Sequence, residues 1–303
     1  MSVLAITGAT GFVGKTLLRL ALDQGHQVRA LVRKPQDPRT GVTWIDGALD
    51  DPAALGRLVD GADAVIHVAG MVNGANRAAF EACNVGGTLA VANAAKAAGV
   101  RRFIHVSSLA AREPQLSDYG WSKARAEDAL AASGLDWTMV RPPAIYGPGD
   151  TEMLDLFRMA RRGLMLLPPG GKLSVIEVSD LARLLLALVA DRGSIAEIYE
   201  ADDGAPDGWT HEGFARAIGW AVDKRVTTFA TPKALLKTAA RLDKLFRRSR
   251  AKLTPDRVDY FCHPDWTVDP SRRPPATLWE PHVNTRGGLK TTAAWYRRAG
   301  WLG

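Results

Sequence analysis

Near the start of the chain, Thr7-Gly8-Ala9-Thr10-Gly11-Phe12-Val13-Gly14 stands between the apolar run Val3-Leu4-Ala5-Ile6 and the helical pattern Leu17-Leu18-Leu20-Ala21-Leu22. A buried strand that enters a glycine turn and leaves as a helix is the opening unit of a doubly wound α/β sheet. Glycines at Gly8, Gly11 and Gly14 remove the Cβ atoms that would hold a pyrophosphate away from the N–H groups of the helix N-terminus, where the dipole favours negative charge. The turn, with Thr10, Phe12 and Val13 between and behind its glycines, reads as a dinucleotide site.

From the first helix to residue 149 the chain keeps the alternation that such a sheet needs. Strands are expected over 28–32, 42–45, 64–70, 103–106 and 137–141, and helices over 52–59, 75–98 and 119–132. Beyond 149 the alternation loosens into a helix over 153–162, a strand over 173–178, an apolar helix over 181–190 and a short strand at 198–199. The expected fold is α/β: a Rossmann-type doubly wound parallel sheet over 1–149, then a smaller C-terminal α/β substrate lobe over 150–303, some of whose segments return to the core. A chain of 303 residues with 47% apolar content has material for both.

No apolar run reaches the roughly 18 residues of a membrane span, and no basic stretch leading into an apolar one precedes the first strand. The expectation is a cytoplasmic protein. Cys83 and Cys262 are far apart and lack partners at metal spacing, so they read as packing residues and no metal is expected. The net charge of +7 is local: Lys233, Lys237, Arg241, Lys244, Arg247, Arg248, Arg250 and Lys252 face the single acid Asp243. On a helical wheel Leu235, Ala239, Leu242 and Phe246 share one stripe opposite Lys233, Lys237, Lys244 and Arg248. A basic amphipathic helix over 233–252 suits peripheral contact with an anionic inner membrane face or an acidic partner, or simply docks by its apolar stripe. Without interleaved aromatics or a recognition motif, it does not suit nucleic acid.

Four further residues carry chemistry. Arg33 ends the second strand, where an acid would bind the 2′-hydroxyl of NAD and a base suits the 2′-phosphate of NADP. Tyr119 and Lys123, four apart on one helix, share a face, and an ammonium beside a phenol favours the phenolate that acid/base work needs. Ser108 follows the fifth strand, at the carboxyl edge where open α/β sheets bind ligands, and its hydroxyl suits a carbonyl or alcohol oxygen.

Taken in order, the motifs Thr7 to Gly14, His67-Val68-Ala69-Gly70, Asn84-Val85-Gly86-Gly87-Thr88, Phe103-Ile104-His105-Val106-Ser107-Ser108, Tyr119-Gly120-Trp121-Ser122-Lys123 and Arg141-Pro142-Pro143-Ala144-Ile145-Tyr146-Gly147-Pro148-Gly149 resemble the extended and atypical short-chain dehydrogenase/reductases, the NAD-dependent epimerase/dehydratase family. The resemblance continues more faintly through Val178-Ser179-Asp180-Leu181-Ala182 to Gly287-Gly288-Leu289-Lys290, Trp295-Tyr296 and Gly300-Trp301-Leu302. It implies that Tyr119 is the general acid/base, that Lys123 binds the nicotinamide ribose and lowers the tyrosine pKa, that Ser108 orients the reacting oxygen and that Asn84 supports the site. It also implies that Val68, Ala69, Gly70, Val106 and Ser107 line the cofactor, and that Pro142 to Ile145 pass along the nicotinamide. The cofactor implied is NADP, with NAD as the alternative. Relatives often form homodimers.

Two departures stand out. The family's Gly-Asp-Leu after the third strand is Gly47-Ala48-Leu49 here, so the acid that contacts adenine is missing and only backbone contacts, as at Leu49, carry over. The loop from Ser108 to Tyr119 is shorter than in nucleotide-sugar epimerases and resembles the branch with the NADPH-binding accessory subunit of respiratory complex I. Three readings are open: an oxidoreductase acting on an apolar, sterol-like or terpenoid alcohol or ketone; a nucleotide-sugar epimerase or dehydratase, for which only Arg161 and Arg162 offer a diphosphate cluster outside the turn; and a non-catalytic NADPH-binding scaffold.

Overall fold

A computed structural model describes residues 1–247 and 255–302, which gather into two compact units. Met1–Arg141, Leu181–Glu200 and Pro274–Glu280 form the first, and Pro142–Asp180, Ala201–Arg273 and Pro281–Gly303 the second.

The first unit begins with β1 (Val3–Thr7), buried from Leu4 onward. The glycine turn leads into α1 (Phe12–Asp23), which buries Gly14, Leu17, Leu18 and Ala21 on one stripe. Then come β2 (Gln27–Val32) and β3 (Val42–Asp46). Helix α2 (Pro52–Val59) starts with proline in its first turn, and Asp51 caps it by accepting from the Ala54 N–H at 3.0 Å. All four residues of β4 (Ala64–His67) are buried. The strand stops at His67, short of the expected Gly70, because Val68 to Gly70 turn out to meet the glycine loop. Residues 75–98 do not form one α-helix: α3 (Arg77–Phe80) and α4 (Gly87–Ala97) are separated by a π-helical turn over Glu81–Gly86, a local widening that recurs at functional sites. β5 (Arg102–Val106), α5 (Asp118–Ala131) capped by Ser117, and β6 (Asp136–Val140) complete this run.

The chain then enters the second unit with β7 (Ala144–Tyr146), α6 (Leu154–Arg161), β8 (Leu164–Leu167), β9 (Lys172–Leu173) and β10 (Val175–Glu177). Ser174 interrupts the single strand expected over 173–178. Its N–H goes to the Trp266 carbonyl at 2.9 Å and its hydroxyl to Asp202 at 2.7 Å. Helix α7 (Val178–Ala190) leads back to β11 (Glu197–Tyr199) in the first unit. The remaining elements are β12 (Trp209–Thr210), α8 (His211–Ala221), β13 (Thr227–Ala230), α9 (Lys233–Arg247), α10 (Pro255–Phe261), β14 (Asp265–Trp266) and α11 (Thr285–Arg298). In the second unit Tyr146, Phe157, Met165, Phe214, Ile218, Leu289 and Tyr296 share one core.

The main sheet has seven parallel strands in the order β11-β6-β5-β4-β1-β2-β3. This is the Rossmann-type doubly wound arrangement that the glycine turn announces. The direction of winding reverses between β1 and β4, and there the carboxyl ends of the strands open onto a ligand crevice. Register sets Thr7 beside His67 and His67 beside His105, so the turns after β1, β4 and β5 leave the sheet at one level.

Gly8 sits at φ +74°, and a Cβ there would lie 2.7 Å from the Ala69 amide nitrogen. Gly25 has a similar φ of +79° with nothing within 4 Å. Gly25→Ala is therefore expected to cost about 1–2 kcal/mol of left-handed strain. Gly8→Ala adds displacement of the Ala69 backbone, for about 1–3 kcal/mol more. Urea unfolding of the two variants checks the difference.

Candidate active site

The glycine turn is shaped first by the protein's own backbone. A Cβ at Gly14 would fall 2.0 Å from the Gly8 carbonyl oxygen, and one at Gly8 would strike Ala69. Gly11 differs: it is exposed, and its nearest obstacle is the Gly8 oxygen at 3.3 Å. Two of the three glycines thus serve packing of the turn, and Gly11 is the one that leaves outer space open. No side chain caps α1, so the first-turn N–H groups around Phe12 and Val13, which have no intrahelical acceptor, remain for an anion. Thr10 is exposed beside them, and Val68 and Ala69 are half-buried across the switch point. This cradle fits the phosphates of a dinucleotide.

Behind it runs a buried hydrogen-bond chain. The Ala69 N–H donates to Thr7 Oγ1 at 3.2 Å, and Thr7 Oγ1 meets His67 Nδ1 at 2.7 Å. His67 Nε2 meets Thr88 Oγ1 at 3.1 Å, and that hydroxyl donates to the Asn84 carbonyl at 2.6 Å. Because Thr88 gives its proton to Asn84, it accepts from His67, which fixes the Nε2–H tautomer and leaves Nδ1 to accept from Thr7. Burial, and then the Lys123 charge, push the His67 pKa down to about 3, so the ring stays neutral. His105 stacks on it at 5.4 Å and is itself held neutral by burial, Lys123 and His67.

Asn84, in the π-helical turn, has its amide fully engaged. Its Oδ1 accepts from the Met71 N–H at 2.6 Å, and its Nδ2 donates to the Met71 carbonyl at 3.0 Å and to Ser122 Oγ at 2.8 Å. Ser122 in turn donates to the Tyr119 carbonyl at 2.8 Å. Asn84 therefore ties the loop after β4 to α5, the helix carrying Tyr119 and Lys123.

Helix α5 approaches the end of β5 closely. A Cβ on Gly120 would lie 2.6 Å from the Ala110 carbonyl oxygen, so the glycine beside Tyr119 sets how near the helix comes to the turn after Ser108. Ser108 is buried, and its Oγ accepts from the Ala110 N–H at 3.2 Å, which leaves its O–H to donate. Tyr119 is half-buried, with its ring 6.2 Å from that of Phe80. Lys123 is buried and donates to the Val106 carbonyl at 2.9 Å. The exposed backbone of Gly70 passes just above it, since a Cβ there would be 3.2 Å from Nζ. Its remaining N–H groups suit hydroxyl acceptors such as those of a ribose. Ser107, expected along the cofactor, instead turns its hydroxyl to Glu127 Oε1. Glu127 also takes a two-point bond from Arg141, Nε to Oε1 at 2.9 Å and Nη2 to Oε2 at 2.5 Å. Arg141 continues to the buried Glu200 at 3.6 Å.

The other expected positions are more dispersed. Arg33 is exposed just past β2, in register with the residues that come after β1, and makes no ion pair among the described residues. Leu49 is half-buried, and a Cβ on Gly87 would touch its Cδ1 at 2.7 Å. Pro142 opens the second unit, and Ile145 lies in β7, paired with Ile176 of β10. His67, Thr88, Gly120, Ser122 and Glu127 carry no role that the sequence alone assigns. Glu127, one turn beyond Lys123 on the same helix face, could have been found by spacing; the others act through distances that no spacing displays.

The family model described as NAD(P)H-binding matches residues 8–192. A protein of Caulobacter vibrioides named ceramide reductase is 39% identical over 99% of this chain and 96% of its own length. The chain belongs to the NAD(P)H-binding short-chain dehydrogenase/reductases. A 2-alkyl-3-oxoalkanoate reductase of Stenotrophomonas maltophilia is 30% identical over 95% of this chain and 98% of its own. Among solved structures, MoeE5 in complex with UDP-glucose and NAD has the same fold, with a TM-score of 0.77 at 22% identity over 99% of both chains. Membership makes this an NAD(P)-dependent enzyme of the reductase and epimerase/dehydratase group.

The missing acid at Ala48 is not replaced by Asp51, which is occupied as the cap of α2. As with His67, burial disturbs the protonation of Lys123. Burial pulls its pKa from 10.5 down to about 8, against the opposing pull of Glu127 and then Cys83. Between those two values the unfolded chain binds the proton that the folded one has released, so stability rises with pH across the window. The urea midpoint of the wild type is expected to gain on that of Lys123→Met between pH 8 and 10.5. Parallel midpoints would place the lysine in water.

Proposed function

We propose that this chain is an NADPH-dependent reductase of a long-chain lipid ketone, of the kind whose reduction yields a ceramide. The observation that carries the reading is similarity along the whole chain to a protein named ceramide reductase, together with Ser108, Tyr119 and Lys123 beside the cradle. A ceramide has a secondary alcohol, which is the product of hydride addition to a ketone at that carbon. This sharpens the apolar, sterol-like or terpenoid substrate expected from sequence.

A bound reduced nicotinamide supplies the hydride. The chain's own residues handle the oxygen. Ser108, whose oxygen accepts from the Ala110 N–H, donates its proton in a hydrogen bond to the substrate carbonyl. Tyr119 delivers its phenolic proton to the same oxygen as negative charge develops there, so the carbonyl carbon gains hydride and the oxygen gains a proton. Lys123, a buried ammonium on the same helix face, lowers the cost of the phenolate that Tyr119 becomes, and solvent restores the proton. Lys123 also holds the nicotinamide ribose. Asn84 and Gly120 keep the helix in place. Arg33, exposed and without an ion pair among the described residues, takes the 2′-phosphate and favours NADP over NAD. The basic segment over 233–252 meets an anionic membrane surface, where such a substrate resides.

A ceramide oxidised to the ketone at its secondary alcohol is the substrate to assay, with NADPH consumption as the readout. Tyr119→Phe is expected to keep the rise in melting temperature on adding NADPH while turnover drops by roughly 10²–10⁴-fold. Undiminished turnover removes Tyr119 from the mechanism, and epimerisation of UDP-glucose without ketone reduction removes the substrate class. Arg33→Ala is expected to weaken NADPH binding about tenfold to a hundredfold, with NADH little changed. Equal losses for the two cofactors would sink the phosphate assignment.

A further inference from the structure

In the second unit β8 and β13 form a two-stranded parallel ribbon with Leu164 opposite Thr227 and Leu166 opposite Phe229. Alternation sends Met165 inward, where it is 1% exposed in the unit's core, and sends its neighbours out. Leu164 is 44% exposed, Leu166 55% and Phe229 53%, so the paired leucine and phenylalanine form an uncovered apolar face. From the far end of the ribbon Thr231 bonds back to the Leu167 carbonyl, and the first turn of α9 adds Leu235 at 59% exposure.

Cations gather at the other end. The Thr227 N–H donates to the Gly163 carbonyl at 2.8 Å, which brings Arg161 and Arg162, before β8, together with Lys224 and Arg225, before β13. All four are exposed, and none makes an ion pair among the described residues. The neighbouring acids are occupied: Asp223 pairs with Lys290 and Arg297, and Glu212 with Arg216. Two members of the stripe expected on the basic helix can be placed. Leu235 and Ala239 face solvent while Ala240 is buried, and Lys233 and Lys237 both turn to Asp259 of α10, at 2.8 and 3.0 Å. Arg248, Arg250 and Lys252 lie outside the described residues, as do the side chains of Leu242, Lys244, Phe246 and Arg247.

We propose that the outer face of the β8–β13 ribbon, with Leu166 and Phe229 at its centre and Arg161, Arg162, Lys224 and Arg225 at its edge, docks the protein on an anionic phospholipid bilayer. The apolar pair enters the acyl boundary and the arginines and lysine meet the phosphates above it, the division of labour of an interfacial anchor. An acyl interior alone would not need unpaired cations, and an acidic protein surface would not need an uncovered Leu–Phe pair. This proposal stands apart from the ketone reading, because its test does not involve turnover.

The full-length chain is sedimented with vesicles of phosphatidylcholine mixed with phosphatidylglycerol, and with phosphatidylcholine alone. It is expected to pellet with the anionic vesicles, and less so as salt rises. The double variant Leu166→Asp, Phe229→Asp is expected to bind them about tenfold more weakly or worse, with its melting temperature and NADPH binding retained. Arg161→Glu with Arg162→Glu is expected to lower binding to the anionic vesicles selectively. Equal pelleting of wild type and the double variant overturns the proposal, as does failure of the wild type to bind anionic vesicles. A dimer in sedimentation velocity that Leu166→Asp dissolves, without vesicle binding, makes the ribbon an interface between copies of this chain and also overturns it.

Discussion

The active-site half of the molecule depends on how closely the loop after β1 meets the loop after β4. Gly8 lies so near the Ala69 amide that a single methyl group would separate them, and Thr7 accepts that same amide proton from below. From this contact the chain of hydrogen bonds runs through His67 and Thr88 to the Asn84 backbone, and the Asn84 side chain passes it on to Met71 and Ser122. The glycine turn and α5, the helix of Tyr119 and Lys123, are thereby linked through buried neutral groups. A protonated His67 would lose the acceptor at Nδ1, so the burial that keeps the ring neutral is itself part of the connection.

The charges beneath the site obey the same rule of desolvation. Lys123 and Glu127 are one turn apart, and attraction alone would hold the lysine pKa high. Burial wins instead because Glu127 is already engaged by Arg141 at two points and by Ser107. A carboxylate compensated in this way has little field left for a second cation. The result is a lysine with a pKa of about 8, still an ammonium at neutral pH but much closer to releasing its proton than an exposed one.

How much of this can be read from sequence depends on whether the signal is a residue type or a distance. The seven-stranded sheet is legible because buried parallel strands are continuous apolar runs punctuated by glycine and proline, as at Ala64 to His67. Tyr119, Lys123 and Ser108 stand out in the sequence because few other side chains suit acid/base work at a carbonyl oxygen. Asn84 is legible as a motif member, but its clamp on Met71 and the π-helical turn that aims it are not. The contact of Gly120 with Ala110 is likewise invisible, since a helical glycine has no period. In the second unit β9, β12 and β14 are two residues each, too short to show alternation, and Ser174 breaks a run that reads as one strand. In α9 the wheel gives faces but not neighbours, and Asp259 of α10 decides where Lys233 and Lys237 point.

In the first unit buried Glu127 is paired with Arg141, and His67 and His105 are held neutral, because an uncompensated charge in a dry interior costs several kcal/mol, roughly as in any buried ion pair. In the second, four cations remain on the surface without partners beside an apolar ribbon that nothing in the described chain covers. Charges that merely guard a sheet edge against pairing are placed among the strand residues, where they interrupt the apolar surface. Here they stand at the ends of the strands, and Leu166 and Phe229 in the middle are left contiguous. That arrangement preserves the apolar face instead of blunting it, which is what an interfacial anchor requires and an edge guard does not.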